Sequence, residues 1–254
     1  MRQLILTALT GIGEVVRGAE LAPLLAAALA SSGLTLAPGD VVVVAQKIVS
    51  KAEGRRVLLA DVTPGPRAME LAGITAKDPR LVELMLSESR EVLRAKPNVL
   101  ILEHRLGFVM ASAGVDQSNV PRSEHGPAAL LLPEDPDASA RRIRDELQAL
   151  LGVPVGVIIN DSFGRAWRNG VCGIAIGVAG IPALIDRRGS PDREGRPLEV
   201  TQVAAADELA AAASLVMGQG DEGVPAVLAR GFPYALREGS AQELVRPRAE
   251  DLFR

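Results

Sequence analysis

Apolar residues along the chain fall into short continuous runs that alternate with stretches of helical spacing, so strands and helices are interleaved. Val41-Val42-Val43-Val44-Ala45 and Val155-Gly156-Val157-Ile158-Ile159 are β-branched runs, and each predicts a strand buried on both faces. Further strands are expected at Arg2–Leu9, Leu198–Val203 and Val224–Ala229, and the glycine-rich run Val171–Ile181 allows close backbone packing. Asn98–Glu103 and Gly107–Ala113 form a predicted hairpin around Arg105-Leu106-Gly107. Leu21–Ala30, with Pro23 tolerated in its first turn, predicts a surface or interface helix too short to span a bilayer. The spacing of Leu71, Ile74, Leu81, Leu84, Leu86 and Val92 predicts two helices between Pro66 and Leu93. Another, capped by Asp137, carries Ile143, Leu147, Leu150 and Leu151, and Ala204–Met217 reads as the last. Pro133-Glu134-Asp135-Pro136-Asp137 marks a subdomain hinge, and Asp186–Pro197 an exposed loop. Periodicity leaves α/β and α+β both open.

Polar residues at the ends of the apolar runs carry the candidate chemistry. The run through Ile159 delivers Asn160-Asp161-Ser162-Phe163-Gly164-Arg165, and the run from Gly107 delivers Asp116-Gln117-Ser118-Asn119. An unpaired carboxylate is costly to bury, whereas two such carboxylates with oxygen donors beside them resemble half of a magnesium or manganese site. The alternative is an Asp that initiates an Asx-turn. Lys47 and Lys51, four apart beside Ser50, suit a polyphosphate or else a solvated strand end; no Walker A pattern accompanies them. Arg165 and Arg168 around Trp167 suit an anion, or a guanidinium stack at a subunit interface. In Met217-Gly218-Gln219-Gly220-Asp221-Glu222-Gly223-Val224, glycines bracket three polar side chains and let backbone amides approach a nucleotide or metal. His104 and His125 flank no nucleophile, and the Gly-x-Ser-x-Gly elbow is absent.

Composition narrows the classes. With 254 residues the chain can bury a substantial core, as one domain, 1–254, or as two smaller interlocked subdomains with a hinge near 133–137. Aromatic residues at 2% argue against a stacking platform for single-stranded nucleic acid, and a net charge of -3 argues against phosphate neutralisation along a duplex. The single Cys172 excludes an intrachain disulfide and fits a reducing cytoplasm. No signal peptide or membrane span is expected.

Five segments together resemble one family along nearly the whole chain: Ser50-Lys51-Ala52-Glu53-Gly54-Arg55, Ala113-Gly114-Val115-Asp116-Gln117-Ser118-Asn119, Asp161-Ser162-Phe163-Gly164-Arg165-Ala166-Trp167-Arg168, Ala206-Asp207-Glu208 and Met217-Gly218-Gln219-Gly220-Asp221-Glu222-Gly223. They are similar to the coenzyme F420-0:L-glutamate ligases, or gamma-glutamyl ligases. The resemblance implies an α+β fold of two intertwined mixed subdomains and a homodimer. It implies a GTP-dependent ligase, using Mg2+ or Mn2+ at two ions and aided by K+, that adds L-glutamate to the phospholactyl side chain of the deazaflavin coenzyme F420-0 and then adds gamma-linked glutamates. On the matching positions it implies Asp116 and Asp161 as metal-binding carboxylates, with Ser162 and Gln219 on the second ion. Gly11, Ile12, Gln46, Lys47, Lys51, Asn119 and the stretch from Met217 to Val224 would contact the nucleotide, and Lys51 with Arg165 would offset phosphate charge. Rival expectations are a metal-dependent glutamate ligase with another acceptor, a non-catalytic GTP-binding regulator, and a phosphohydrolase.

Overall fold

The computed structural model describes residues 3–120 and 126–252, so Arg2 and His125 lie outside the described residues. The chain runs β1 (Ile5–Leu9), α1 (Leu21–Ser31), β2 (Val41–Ala45), α2 (Gln46–Ala52), β3 (Arg56–Leu58), α3 (Pro66–Thr75), α4 (Pro79–Ser87), β4 (Ser89–Lys96), β5 (Val99–His104), β6 (Val109–Ala111) and β7 (Ala128–Leu130). It continues with α5 (Pro136–Leu151), β8 (Gly156–Arg165), β9 (Arg168–Ala179), β10 (Ile185–Asp186), β11 (Gln202–Val203), α6 (Ala205–Met217) and β12 (Ala226–Arg230). The fold is α+β. Its main sheet has the order β1-β12-β2-β8-β9, with smaller sheets β4-β5-β6, β3-β7 and β10-β11.

The two β-branched runs are neighbours in that main sheet. They pair in parallel, Val41 opposite Gly156 and Ala45 opposite Asn160, while its other strands pair antiparallel. Val41 to Val44 and Val157 to Ile159 are fully buried, as strands covered on both faces must be. Helix α1 is apolar nearly all round and buries one face, Leu21, Ala22, Leu25, Ala28 and Leu29, packing on α5. Buried apolar residues among those described form two clusters. One surrounds the main sheet with α1, α5 and α6; the other is confined to residues between 57 and 131, around α3, α4 and β5.

Local details differ from the periodicity. Val92 belongs to β4, opposite Leu102, because α4 stops at Ser87 and the chain turns at once into the β4–β5 hairpin. Asp135 rather than Asp137 caps α5, accepting from the Ala138 amide at 2.9 Å, since Pro136 occupies the first helical position. The strand expected over Leu198–Val203 shrinks to Gln202–Val203, and Val200, 83% exposed, has no surface to pack against. Among the described residues, no helix is long and apolar enough to cross a membrane.

Candidate active-site cleft

Sheet register gathers the candidate residues. Leu9 at the end of β1 pairs with Ala226 at the start of β12, Ala226 pairs with Val44, and Ala45 pairs with Asn160. These points therefore lie together at one end of the sheet. There the segments that leave them line a cleft of about 860 Å3. Its walls include Ile12 and Glu14, Gln46, Lys47 and Lys51, Asp116, Ser118 and Asn119, Asn160 to Ser162, and the turn from Met217 to Val224. Gly11 and Arg165 are not among its lining residues. Arg165 ends β8, and its buried Nη1 has no hydrogen-bond partner.

Lys47 and Lys51 do not sit at a strand end. They are one turn apart on α2, which begins directly after β2, so both ammonium groups face the same side. Lys47 Nζ donates to Asp116 Oδ2 at 2.6 Å and to Ser118 Oγ, and Lys51 Nζ donates to Glu14 Oε1 at 2.7 Å. Gln46 turns inward instead, where its Oε1 accepts from Ser50 Oγ at 2.8 Å.

The Asx-turn reading is realised at Asp116, whose Oδ1 accepts the Ser118 amide at 2.8 Å, yet the same carboxylate also holds Lys47. Burial alone would raise its pKa, but the bonds from Lys47 and Ser118 outweigh that and hold the group below the usual range. Asp161 responds oppositely. Desolvation by the surrounding protein pushes it up to about 7, the Ser162 amide and Lys47 oppose the shift, and the charge on Asp116 adds to it. Strand β8 runs on through Asp161 to Arg165, so this carboxylate is held on a strand rather than in a turn.

The glycine-rich turn closes the third wall. Gly218 has a φ of 76° and a ψ of -178°, a backbone conformation that residues with a Cβ rarely adopt, so the position favours glycine. Glu222 curls back to accept the Gly220 amide at 2.7 Å, and backbone amides of the turn hold its pKa below the ordinary value. Convergent amides that gather one carboxylate form an anion-binding concavity. Asn119 Nδ2 donates to Gly220 O at 3.4 Å, tying the Asp116 loop to this turn.

Among the described residues, no group of three or more His, Cys, Asp or Glu side chains gathers for a metal. The cleft offers carboxylates from Asp116 and Asp161, the Ser162 hydroxyl and the Gln219 amide, an all-oxygen set that fits Mg2+ or Mn2+ rather than zinc. The upward shift at Asp161 comes first from its burial and only secondarily from the charge on Asp116, so its ionised form is the one that a nearby positive charge would favour.

Residues 11–231 match the family model described as F420-0:Gamma-glutamyl ligase. The chain belongs to this family. It is 49% identical over 246 residues, 96% of each chain, to the coenzyme F420:L-glutamate ligase of Methanothermobacter thermautotrophicus. Identity is 48% over 232 residues, 90% of each chain, to that of Methanopyrus kandleri, and 44% over 241 residues, 92% of this chain and 90% of the relative, to that of Halobacterium salinarum. Membership embraces both Asp-bearing segments, α2 and the glycine-rich turn. Sequence reasoning gave no role to Glu14 or to Asn160, whose Nδ2 donates to Ser214 Oγ at 3.0 Å. Glu14 lies in an irregular segment with no periodic signal, and Asn160 was masked by the Asp that follows it.

Proposed function

We infer that the protein is a GTP-dependent ligase that joins the α-amino group of L-glutamate to the phospholactyl carboxylate of the deazaflavin coenzyme F420-0, then extends the chain through gamma-carboxyl links. The observation that carries this reading is the meeting of Asp116, Asp161, Lys47 and an anion-binding turn in one cleft. The activity named for the family and for its relatives supports the substrates.

A carboxylate acylates poorly until it is phosphorylated. In the proposed reaction a carboxylate oxygen of the acceptor takes the γ-phosphoryl group of GTP, and the bond to the β-phosphate breaks to release GDP. The glutamate amine then attacks the acyl carbon, loses a proton and expels inorganic phosphate. Divalent cations, held by Asp116 and Asp161 with Ser162 and Gln219, would neutralise charge on the transferring phosphoryl group. Lys47 and Lys51 lie on the same helix face to offset phosphate charge, and the amides of the glycine-rich turn are free to exchange Glu222 for a ligand oxygen. The family resemblance adds a homodimer and a supporting K+ ion to this reading, and the single Cys172 suits a reducing cytoplasm.

The test is mass spectrometry of the deazaflavin acceptor after incubation with GTP, L-glutamate and Mn2+. A gain of glutamyl units matched by GDP release is expected. GTP hydrolysis indifferent to acceptor and glutamate would replace the ligase by a phosphohydrolase. Tight binding without turnover would replace it by a regulator, and glutamylation only of another acceptor would keep the chemistry and remove the deazaflavin.

A further inference from the structure

We propose that Asp207 is a positioning residue, one that fixes a β-bulge in β9 and thereby sets the register at which β8 presents Asp161 and Ser162 to the cleft. The proposal rests on the cation-binding reading of Asp161. Ile159 pairs with Gly177 and Asn160 with Ala175, so Ile176 is the extra residue, and the irregularity falls between Ile159 and Asn160, one residue ahead of Asp161. A bulge bends the strand that carries it, here β9, and β8 beyond Asn160 pairs with β9 alone, so the path of Asp161 and Ser162 follows from that pairing. A slip of β9 by one residue would exchange the faces of its own side chains and put a different residue opposite Asp161, where Ile174 now pairs.

Strand β9 is the edge of the main sheet, so its outward amides lack a strand partner. Two aspartates from helix first turns accept them instead. Asp207 Oδ1, in the first turn of α6, takes the Ala175 amide at 2.9 Å, and Asp137 Oδ1, in the first turn of α5, takes the Val178 amide at 2.8 Å. They bracket the bulge on its two sides. Asp207 holds the side toward the cleft, since Ala175 is opposite Asn160 and Ile174 opposite Asp161. Gly173 seats α6 closely here, because a Cβ on it would approach Ala210 O to 2.4 Å and Ser214 Oγ to 2.2 Å. The helix that carries Asp207 is thus held directly against the strand it pins. Asp137 has other work, accepting the Ala241 amide at 3.0 Å and the Ser240 hydroxyl, and its contact lies on the side of the bulge away from Asp161.

The test compares Asp207→Ala, Asp207→Asn and Asp137→Ala in the full chain. Mn2+ binding is read by electron paramagnetic resonance, and the Ile159–Gly177 and Asn160–Ala175 cross-strand contacts by nuclear magnetic resonance. Asp207→Ala should bind Mn2+ roughly 10- to 100-fold more weakly, as loss of an orienting outer contact does, and should lose the native cross-strand pairing. Asp207→Asn keeps an acceptor oxygen and should restore both. Asp137→Ala should lower the unfolding temperature while leaving the Asn160–Ala175 contact and Mn2+ affinity in place. If Asp207→Ala does not fold, Asp207→Glu, whose longer side chain displaces the acceptor, gives the same reading. The proposal is overturned if the folded variant keeps the native pairing and Mn2+ affinity within about twofold, or if Asp207→Asn is impaired as badly as Asp207→Ala. Wild-type protein that holds no Mn2+ would refute the cation reading of the cleft by itself, and the cross-strand contacts would then decide the role of Asp207.

Discussion

Replacing Asp161 by Asn should make the cation-free protein more stable while abolishing its activity. The carboxylate titrates at about 7 against an ordinary 3.8, first because burial removes it from water and then because Asp116 carries like charge. Each pKa step is worth about 1.4 kcal/mol, so full ionisation costs the fold about 4 kcal/mol, trimmed to about 2–4 kcal/mol by partial access to water in the cleft. The sign follows from linkage. The folded state binds this proton more tightly than the unfolded chain, so stability attributable to Asp161 falls as pH rises from about 4 through about 7. Urea unfolding in EDTA, at intervals from acid to mildly alkaline pH, should show wild type and Asp161→Asn converging in acid and the variant the more stable above neutrality. Added Mn2+ should close the gap by stabilising wild type alone, since ligand that binds the folded state shifts its unfolding. Parallel pH profiles in EDTA, or a variant less stable than wild type at alkaline pH, would refute the assignment of Asp161 as a carboxylate awaiting a cation.

Asp116→Asn, assayed by circular dichroism and turnover together, should fold and lose nearly all ligase activity, because a neutral amide is a poor cation ligand. Lys51→Ala should weaken GTP binding by roughly 1.5–3 kcal/mol in calorimetry while leaving glutamate affinity nearly unchanged. Glu88→Gln should destabilise the protein away from the cleft. Burial raises the Glu88 pKa, but His104, Arg55 and Arg105 outweigh it and hold the group at about 2, so its stabilisation is present above about 4.5 and is lost as pH falls through about 2. The shift corresponds to about 3 kcal/mol, and chemical denaturation at pH 7 should read a loss of that order.

The strands with unbroken β-branched runs were legible because burial on both faces leaves no polar position to confuse the period, as at Val41–Val44 and Val157–Ile159. Short or half-exposed elements were not. Val92 fits a helical repeat by chance, and only the hairpin partner Leu102 makes it a strand residue. The polar chemistry at Asp116, Asp161 and the Gly218 turn was visible as residue type, and the family resemblance supplied its grouping. What no local pattern encodes is the parallel register of β2 and β8, which places Lys47 beside Asp116 and Asp161. Asp137 and Asp207 were likewise unreadable, since their acceptor role exists only once β9 has become a sheet edge.

The second apolar cluster falls wholly between β2 and β8 in the chain, as an insert within the connection that joins two parallel neighbours. Asp116 belongs to that insert and Asp161 to the sheet it interrupts. A cation shared by the two carboxylates would therefore add a cross-link between the insert and the sheet to the apolar contact that Phe108 and Met110 already make with the main cluster, and its binding energy would oppose their parting. Nucleotide entry and product exit would draw on that same coordinate: the seam loosens when the charge leaves and tightens when it returns. Occupancy of the cleft would then be readable far from it, as slower amide exchange along the boundary between the insert and the sheet.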